Sequence, residues 1–104
     1  MRAETLKGHL DGLVLAIVAA EPLHGYAVIE RLKERSGGAF DLPEGTVYPV
    51  LHRLEAEGLV TSAWADGSGR RRRVYRITRR GRTALETRRE EWGRFAHAVA
   101  GVLT

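Results

Sequence analysis

A chain of 104 residues, 43% hydrophobic and 29% charged, makes one small folded domain, since two would each lack a proper core. It has no cysteine, which excludes disulfides, thiolate metal sites and thiol catalysis and points to a reducing cytoplasm. The formal net charge of +4 is uneven: residues 70–82 hold eight arginines and no acid, whereas residues 1–69 carry six basic against ten acidic groups.

The apolar residues Leu6, Leu10, Leu13, Val14, Ile17 and Val18 recur at three- and four-residue steps and predict a first helix over residues 4–20. Its longest apolar run, residues 13–20, falls far below the ~18 residues a membrane span needs. The mixed charges of residues 1–7 do not resemble a signal peptide. Pro22 stops the helix, because the residue before a proline avoids the helical region. A second helix fits residues 24–36, with Ala27, Val28, Ile29 and Leu32 inward, Arg31, Lys33, Glu34 and Arg35 outward, and Gly37-Gly38 as its end. A loop over residues 39–43 leads to a third helix over residues 44–57 that buries Val47, Val50, Leu51 and Leu54. Pro49 is tolerated only in a first turn, which places the true start near Gly45 or Thr46. Gly58 ends this helix.

Residues 59–65 and 73–78 are rich in β-branched and aromatic side chains, and Asp66-Gly67-Ser68-Gly69 between them is a turn signal. They predict a β-hairpin with arginines at its tip and along its return strand. Thr78 can cap a last helix over residues 79–103. Leu85, Trp92 and Val99 on that helix are spaced by seven, as are Phe95 and Val102, giving an a/d-like seam. Such a helix is too long and too apolar along one stripe for this domain to cover, so a partner helix is expected, most simply from a second copy. Helix, helix, helix, hairpin, helix describes a mainly α fold with a small β-hairpin. It reads as a winged helix-turn-helix over residues 1–78 with a long C-terminal dimerisation helix over residues 79–104, in one compact unit.

Several segments together resemble the PadR-like transcriptional regulators: Leu6-Lys7-Gly8-His9-Leu10-Asp11, Pro22-Leu23-His24-Gly25-Tyr26, Glu44-Gly45-Thr46-Val47-Tyr48-Pro49-Val50-Leu51-His52-Arg53-Leu54-Glu55, Glu57-Gly58-Leu59-Val60 and Arg71-Arg72-Arg73-Val74-Tyr75-Arg76-Ile77-Thr78 with Gly81. Each piece alone is weak, but they follow in order over nearly the whole chain. The resemblance implies a bacterial or archaeal homodimeric DNA-binding regulator, usually a repressor. It also implies that the dimer forms through the last helix with help from the first, which adds Leu6 and Leu10 to Leu85, Trp92, Phe95, Val99 and Val102. Members of this family respond to phenolic acids or planar hydrophobic drugs, and others have no known effector.

The third helix would enter the major groove, with half-site centres about 34 Å apart in a dimer. Gly45 permits close approach, and Thr46, Tyr48, Pro49, His52 and Arg53 lie on the exposed flank. From the fold alone, DNA contact competes evenly with packing of Tyr48 on helix two and pairing of Arg53 with Glu57. The resemblance favours DNA contact at Thr46 and Tyr48; His52 and Arg53 stay open. Tyr26 reads equally as a backbone contact or a core residue. Arg70, Arg71, Arg72 and Arg73 stand in a row with no neighbouring acid, and uncompensated like charge favours phosphate contact over a solvated face. Arg79, Arg80 and Arg82 crowd a helix N-terminus, where the dipole disfavours cations. Trp92 and Phe95 read most simply as seam fillers, with a cavity for an aromatic effector as the sharper alternative. His9, His24, His52 and His97 lack metal-ligand spacing, no cofactor motif is present, and no nucleophile, base and orienting group cluster, so catalysis is not expected. The rivals are a winged helix used as a protein–protein module and a DNA-architectural protein without sequence choice.

Overall fold

The computed structural model describes Met1, residues 3–67 and residues 70–104. A short 3-10 turn, Ala3–Leu6, precedes α1, Leu10–Ala20. The sequence pattern predicted one helix from residue 4, but Gly8 adopts φ +86°, a left-handed backbone that interrupts right-handed winding. Leu6 still lands on the core, at 4% exposure, so the apolar spacing was read correctly across a break it does not reveal.

After Pro22 the chain forms β1, Leu23–His24, then α2, Gly25–Arg35. The His24 imidazole caps α2, accepting from the Ala27 amide at 3.4 Å. Gly37 and Gly38, both at positive φ, end it as expected. Helix α3, Glu44–Ala56, begins one residue before the expected start, so Pro49 sits in its second turn. Pro49 offers no N–H to the Gly45 carbonyl, and Gly45 is exposed.

The hairpin strands are β2, Val60–Gly67, and β3, Arg70–Ile77, longer than predicted. They pair antiparallel from Val60↔Ile77 to Gly67↔Arg70. Asp66 and Gly67, read as turn residues, continue β2 opposite Arg71 and Arg70; Ser68 and Gly69 lie outside the described residues. Strand β1 adds a third member through Leu23↔Tyr75 and His24↔Val74, giving the order β1-β3-β2. Two residues are too few for alternation to announce a strand, so the sequence reading missed it.

Helix α4, Arg79–Leu103, has the predicted limits, and its cap is the predicted one: Thr78 Oγ1 accepts from the Gly81 amide at 3.0 Å. Helix α1 occupies the centre, touching α2, α3, β3 and α4. Around it Val14, Val28, Val47, Leu51 and Leu54 are fully buried, and Tyr75 and Leu85 nearly so. All four apolar positions predicted to face inward on α3 do so. This seals the inner face of α3 against α1 and leaves its other flank beside the hairpin.

Candidate nucleic-acid interface

On that outer flank Gly45, Pro49, His52 and Arg53 are exposed, while Thr46 and Tyr48 are half-buried. The Tyr48 ring rests on Gly25 at the start of α2: a Cβ there would stand 2.4 Å from Tyr48 Cε1. The glycine of the Leu23-His24-Gly25-Tyr26 stretch therefore provides a seat for the tyrosine. Tyr48 packs on helix two, as one of the two readings had it, and still reaches the cleft beside the hairpin. Burial, then the Glu44 carboxylate, pushes its phenol above the usual value, so it remains a proton donor. Tyr26 is 53% exposed and takes no part in the core.

Arg53 has a different partner from the one considered. It does not pair with Glu57; its Nη2 binds Asp11 Oδ1 of α1 and its Nε reaches Asp11 Oδ2 at 3.4 Å. The hydrogen bond to Asp11, then its charge, raises the Arg53 pKa further. This fork ties α3 to α1, which leaves His52 as the more available polar side chain of the two.

The hairpin carries Arg70, Arg71, Arg72 and Arg73 in succession on β3. The expectation that no acid balances them is corrected by the pairing. Register sets Asp66 opposite Arg71, 3.9 Å from its Nε, and α3 brings Glu55 to 3.8 Å from Arg73 Nη2. Arg73 Nε also donates to Ser62 Oγ at 2.7 Å, and Arg72 Nη1 lies 3.0 Å from His24 Nε2. Trp64, unnoticed in the sequence reading, stands opposite Arg73 and is 55% exposed. The guanidinium carbons of Arg71 and Arg73 lie 5.2 and 5.3 Å from its ring centre, within cation–π range. Counting outward from the expected turn over residues 66–69 pairs Trp64 with Arg71; the strands pair two residues further out, which sets Trp64 opposite Arg73. All four arginines border a cleft of ≈ 690 Å³ between hairpin and helices, shared with Tyr26, Tyr48, His52 and Trp64.

The residues expected at the dimer seam fall into two groups, and the first corrects that expectation, because its members pack within the chain itself. Leu85 is 3% exposed and Leu6 4%, both inside the chain's own core, and Leu10 is half-buried. Trp92 is half-buried as well: its Nε1 donates to His9 Nδ1 at 3.1 Å, its ring lies against Gly12, and Arg88 covers it at 5.8 Å. Beyond it Phe95, Val99, Val102 and Leu103 stand exposed at 65%, 36%, 86% and 79%. A second groove, ≈ 600 Å³, opens between α1, the end of α2 and α4, with Leu13, Ile17, Phe40 and Leu85 along it and Arg35, Arg82 and Arg89 beside them. No helix among the described residues is long and apolar enough to cross a membrane.

Three helices with an inward-facing third, a hairpin packed beside that helix, and a basic cleft between them define a winged helix-turn-helix protein. The chain belongs to the PadR-like family of transcriptional regulators, whose model matches residues 14–87, and membership implies DNA-binding regulation. It is 39% identical over 88 residues to a transcriptional regulator of Mycobacterium tuberculosis, covering 85% of this chain and 79% of that protein. A PadR-like transcriptional regulator from Bacillus cereus superposes with TM-score 0.85 at 31% identity, covering 97% of both chains. A PadR family regulator from Clostridium difficile gives TM-score 0.83 at 31% identity, over 92% of this chain and 99% of that one.

Proposed function

We propose that this regulator is a cytoplasmic homodimer that binds a short inverted-repeat operator and represses a neighbouring operon, without catalytic activity of its own. The observation that carries the reading is the cleft: Tyr48 and His52 of α3 and the consecutive arginines Arg70 to Arg73 of β3 border one concavity. In this reading α3 enters the major groove and presents His52, Thr46 and Tyr48, with Gly45 letting the backbone approach. Arg70, Arg71 and Arg72 reach phosphate, where the guanidinium fork suits the anion. Tyr26 borders the same cleft, and Pro49 is exposed on α3. Residues 1–78 read the DNA and residues 79–104 join the copies.

The dimer is supported by the end of α4. An isolated helix of a dozen residues is marginal in water, yet from Gly93 onward every residue of α4 is exposed. Phe95, Val99, Val102 and Leu103 form an apolar stripe that a second copy would cover. The groove along α1 is apolar with a cationic rim, and it fits the partner's α4 end, whose terminal carbonyls carry partial negative charge. An aromatic effector at this seam would stack on Phe95 and on the open part of Trp92; quenching of Trp92 emission by planar aromatic compounds tests that element, and unchanged emission across a broad panel removes it.

The test of the whole reading is a gel shift at physiological salt with the duplex upstream of the gene against random duplex. The upstream duplex is expected to bind at least about 10³-fold more tightly. Equal affinity for both would make this an architectural protein, and no shift with either would make it a protein–protein module. Repression predicts that added protein lowers transcription from the upstream promoter in vitro.

A further inference from the structure

The four consecutive arginines that open β3, Arg70 to Arg73, do not have equivalent surroundings. Arg73 is held on three sides. Its Nε donates to Ser62 Oγ at 2.7 Å, and that hydroxyl donates to Glu55 Oε2 at 2.6 Å. Its Nη2 lies 3.8 Å from the same carboxylate, and its guanidinium covers Trp64. Ser62 and Trp64 belong to β2, Arg73 to β3 and Glu55 to the last turn of α3. The chain of bonds therefore runs from the reading helix through both strands of the wing. Ser62, Glu55 and Arg73 are all only partly exposed, so the bonds are sheltered from full competition with water. A phosphate brought to Arg73 would also meet the Glu55 carboxylate, which repels it. Arg71 differs: its only acidic neighbour among the described residues is Asp66, at 3.9 Å and 91% exposed.

We propose that Glu55, Ser62, Arg73 and Trp64 form a brace that fixes the angle of the wing to α3, making Arg73 a positioning residue and leaving phosphate contact to its neighbours. The brace rests on the DNA-binding reading for its purpose, but not for its existence. Without it the hairpin keeps its pairing with β1 and the Arg72–His24 contact but loses its bonded tie to α3. With it, Arg71 is presented at a set distance from the major-groove helix, and Trp64 holds the Arg71 guanidinium against the hairpin until phosphate takes it. In the sequence Arg73 looks like its three neighbours; the partner that separates it, Glu55, lies eighteen residues away on another element.

The experiment compares full-length Arg71→Ala, Arg73→Ala, Arg73→Lys and Ser62→Ala by fluorescence anisotropy on the labelled upstream duplex across a salt series. Arg71→Ala should lower the slope of log affinity against log salt by about two, as loss of one phosphate contact from each copy of the dimer requires. Arg73→Ala and Ser62→Ala should each weaken binding about five- to tenfold with the slope unchanged, and a protein carrying both Ser62→Ala and Arg73→Ala should be no weaker than Arg73→Ala alone. Arg73→Lys keeps the charge but cannot hold Ser62 and Glu55 together, so it should behave like Arg73→Ala. Rescue by lysine, or a slope that falls with Arg73→Ala as it does with Arg71→Ala, overturns the brace. Free protein gives a reading independent of DNA. In a Trp92→Phe background, Arg73→Ala and Ser62→Ala should both red-shift and broaden Trp64 emission, and unchanged spectra sink the proposal. Wild-type protein that binds no duplex, with those shifts present, instead refutes the DNA-binding reading alone.

Discussion

His24 sits at a junction of three elements, because it ends β1, caps α2 and touches the wing. Its ring has one acceptor nitrogen when neutral, yet two donors address it: the Ala27 amide at Nδ1, 3.4 Å away, and Arg72 Nη1 at Nε2, 3.0 Å away. Protonation would remove the remaining acceptor and set an imidazolium against a guanidinium. Burial first and Arg72 second hold its pKa below the usual 6.5, against an opposing pull from Glu30. The folded state thus binds this proton less readily than the unfolded one. The contribution to stability is complete above pH 6.5, falls as pH drops through that value, and levels off below the depressed folded value. Denaturant midpoints measured between pH 7.5 and 5 should decline, and His24→Asn, which caps without titrating, should flatten the decline relative to wild type. An equal slope in both proteins would show that His24 is not the group responsible. Arg53 teaches a related lesson. A guanidinium on the exposed flank of a reading helix suggests base contact, but Asp11, forty-two residues earlier, claims it.

Elements whose signals are local were legible from the residues. Helix α4 has its predicted limits because Thr78 and a long helical pattern fix them, and the inner stripe of α3 is as read. What escaped was set by distant partners or by single backbone angles: β1 exists only because Tyr75 and Val74 offer it an edge, and the break at Gly8 is one dihedral. The cleft was half legible, its arginines from composition and its Trp64 only once register is known; the Ser62 and Glu55 partners of Arg73 needed packing as well. The joint between wing and α4 shows how tightly elements are set. Thr78 Oγ1 donates to the Gly58 carbonyl at 2.7 Å and Thr78 N to the Leu59 carbonyl at 3.1 Å. One turn on, a Cβ at Gly81 would fall 2.0 Å from that Leu59 oxygen. Backbone cannot rotate aside as a side chain can, so Gly81→Ala must lift the first turn of α4. The expected cost is about 1–3 kcal/mol, read as a melting midpoint lower by about 10 °C. A midpoint within a degree of wild type would show that α4 is not seated on the hairpin root.

At the scale of the molecule, shape and surface point the same way. A compact domain of this length has a radius of gyration of about 13 Å, whereas this chain reaches 14.6 Å, with a long axis of 54 Å. The excess comes from α4, about 37 Å long at 1.5 Å per residue, whose last buried residue is Leu85. A protruding helix with Phe95, Val99, Val102 and Leu103 bare to water is costly for a lone chain, at roughly 1.5–3 kcal/mol for each large apolar side chain left uncovered. Two copies would cover these stripes and set two α3 helices in fixed relation. Light scattering should therefore give twice the 11.5 kDa mass of one chain. Phe95→Glu with Val102→Glu should return the mass to that of one chain while leaving the helical circular dichroism of residues 1–92 largely intact. Both positions lie beyond the last contact of α4 with its own core, so loss of fold is not expected. Operator affinity should drop by about 10²–10⁴, because the second half-site loses the benefit of linkage to the first. A wild-type mass of one chain, or a charged pair of substitutions that leaves the doubled mass unchanged, would mean that the exposed stripe of α4 does not join the copies.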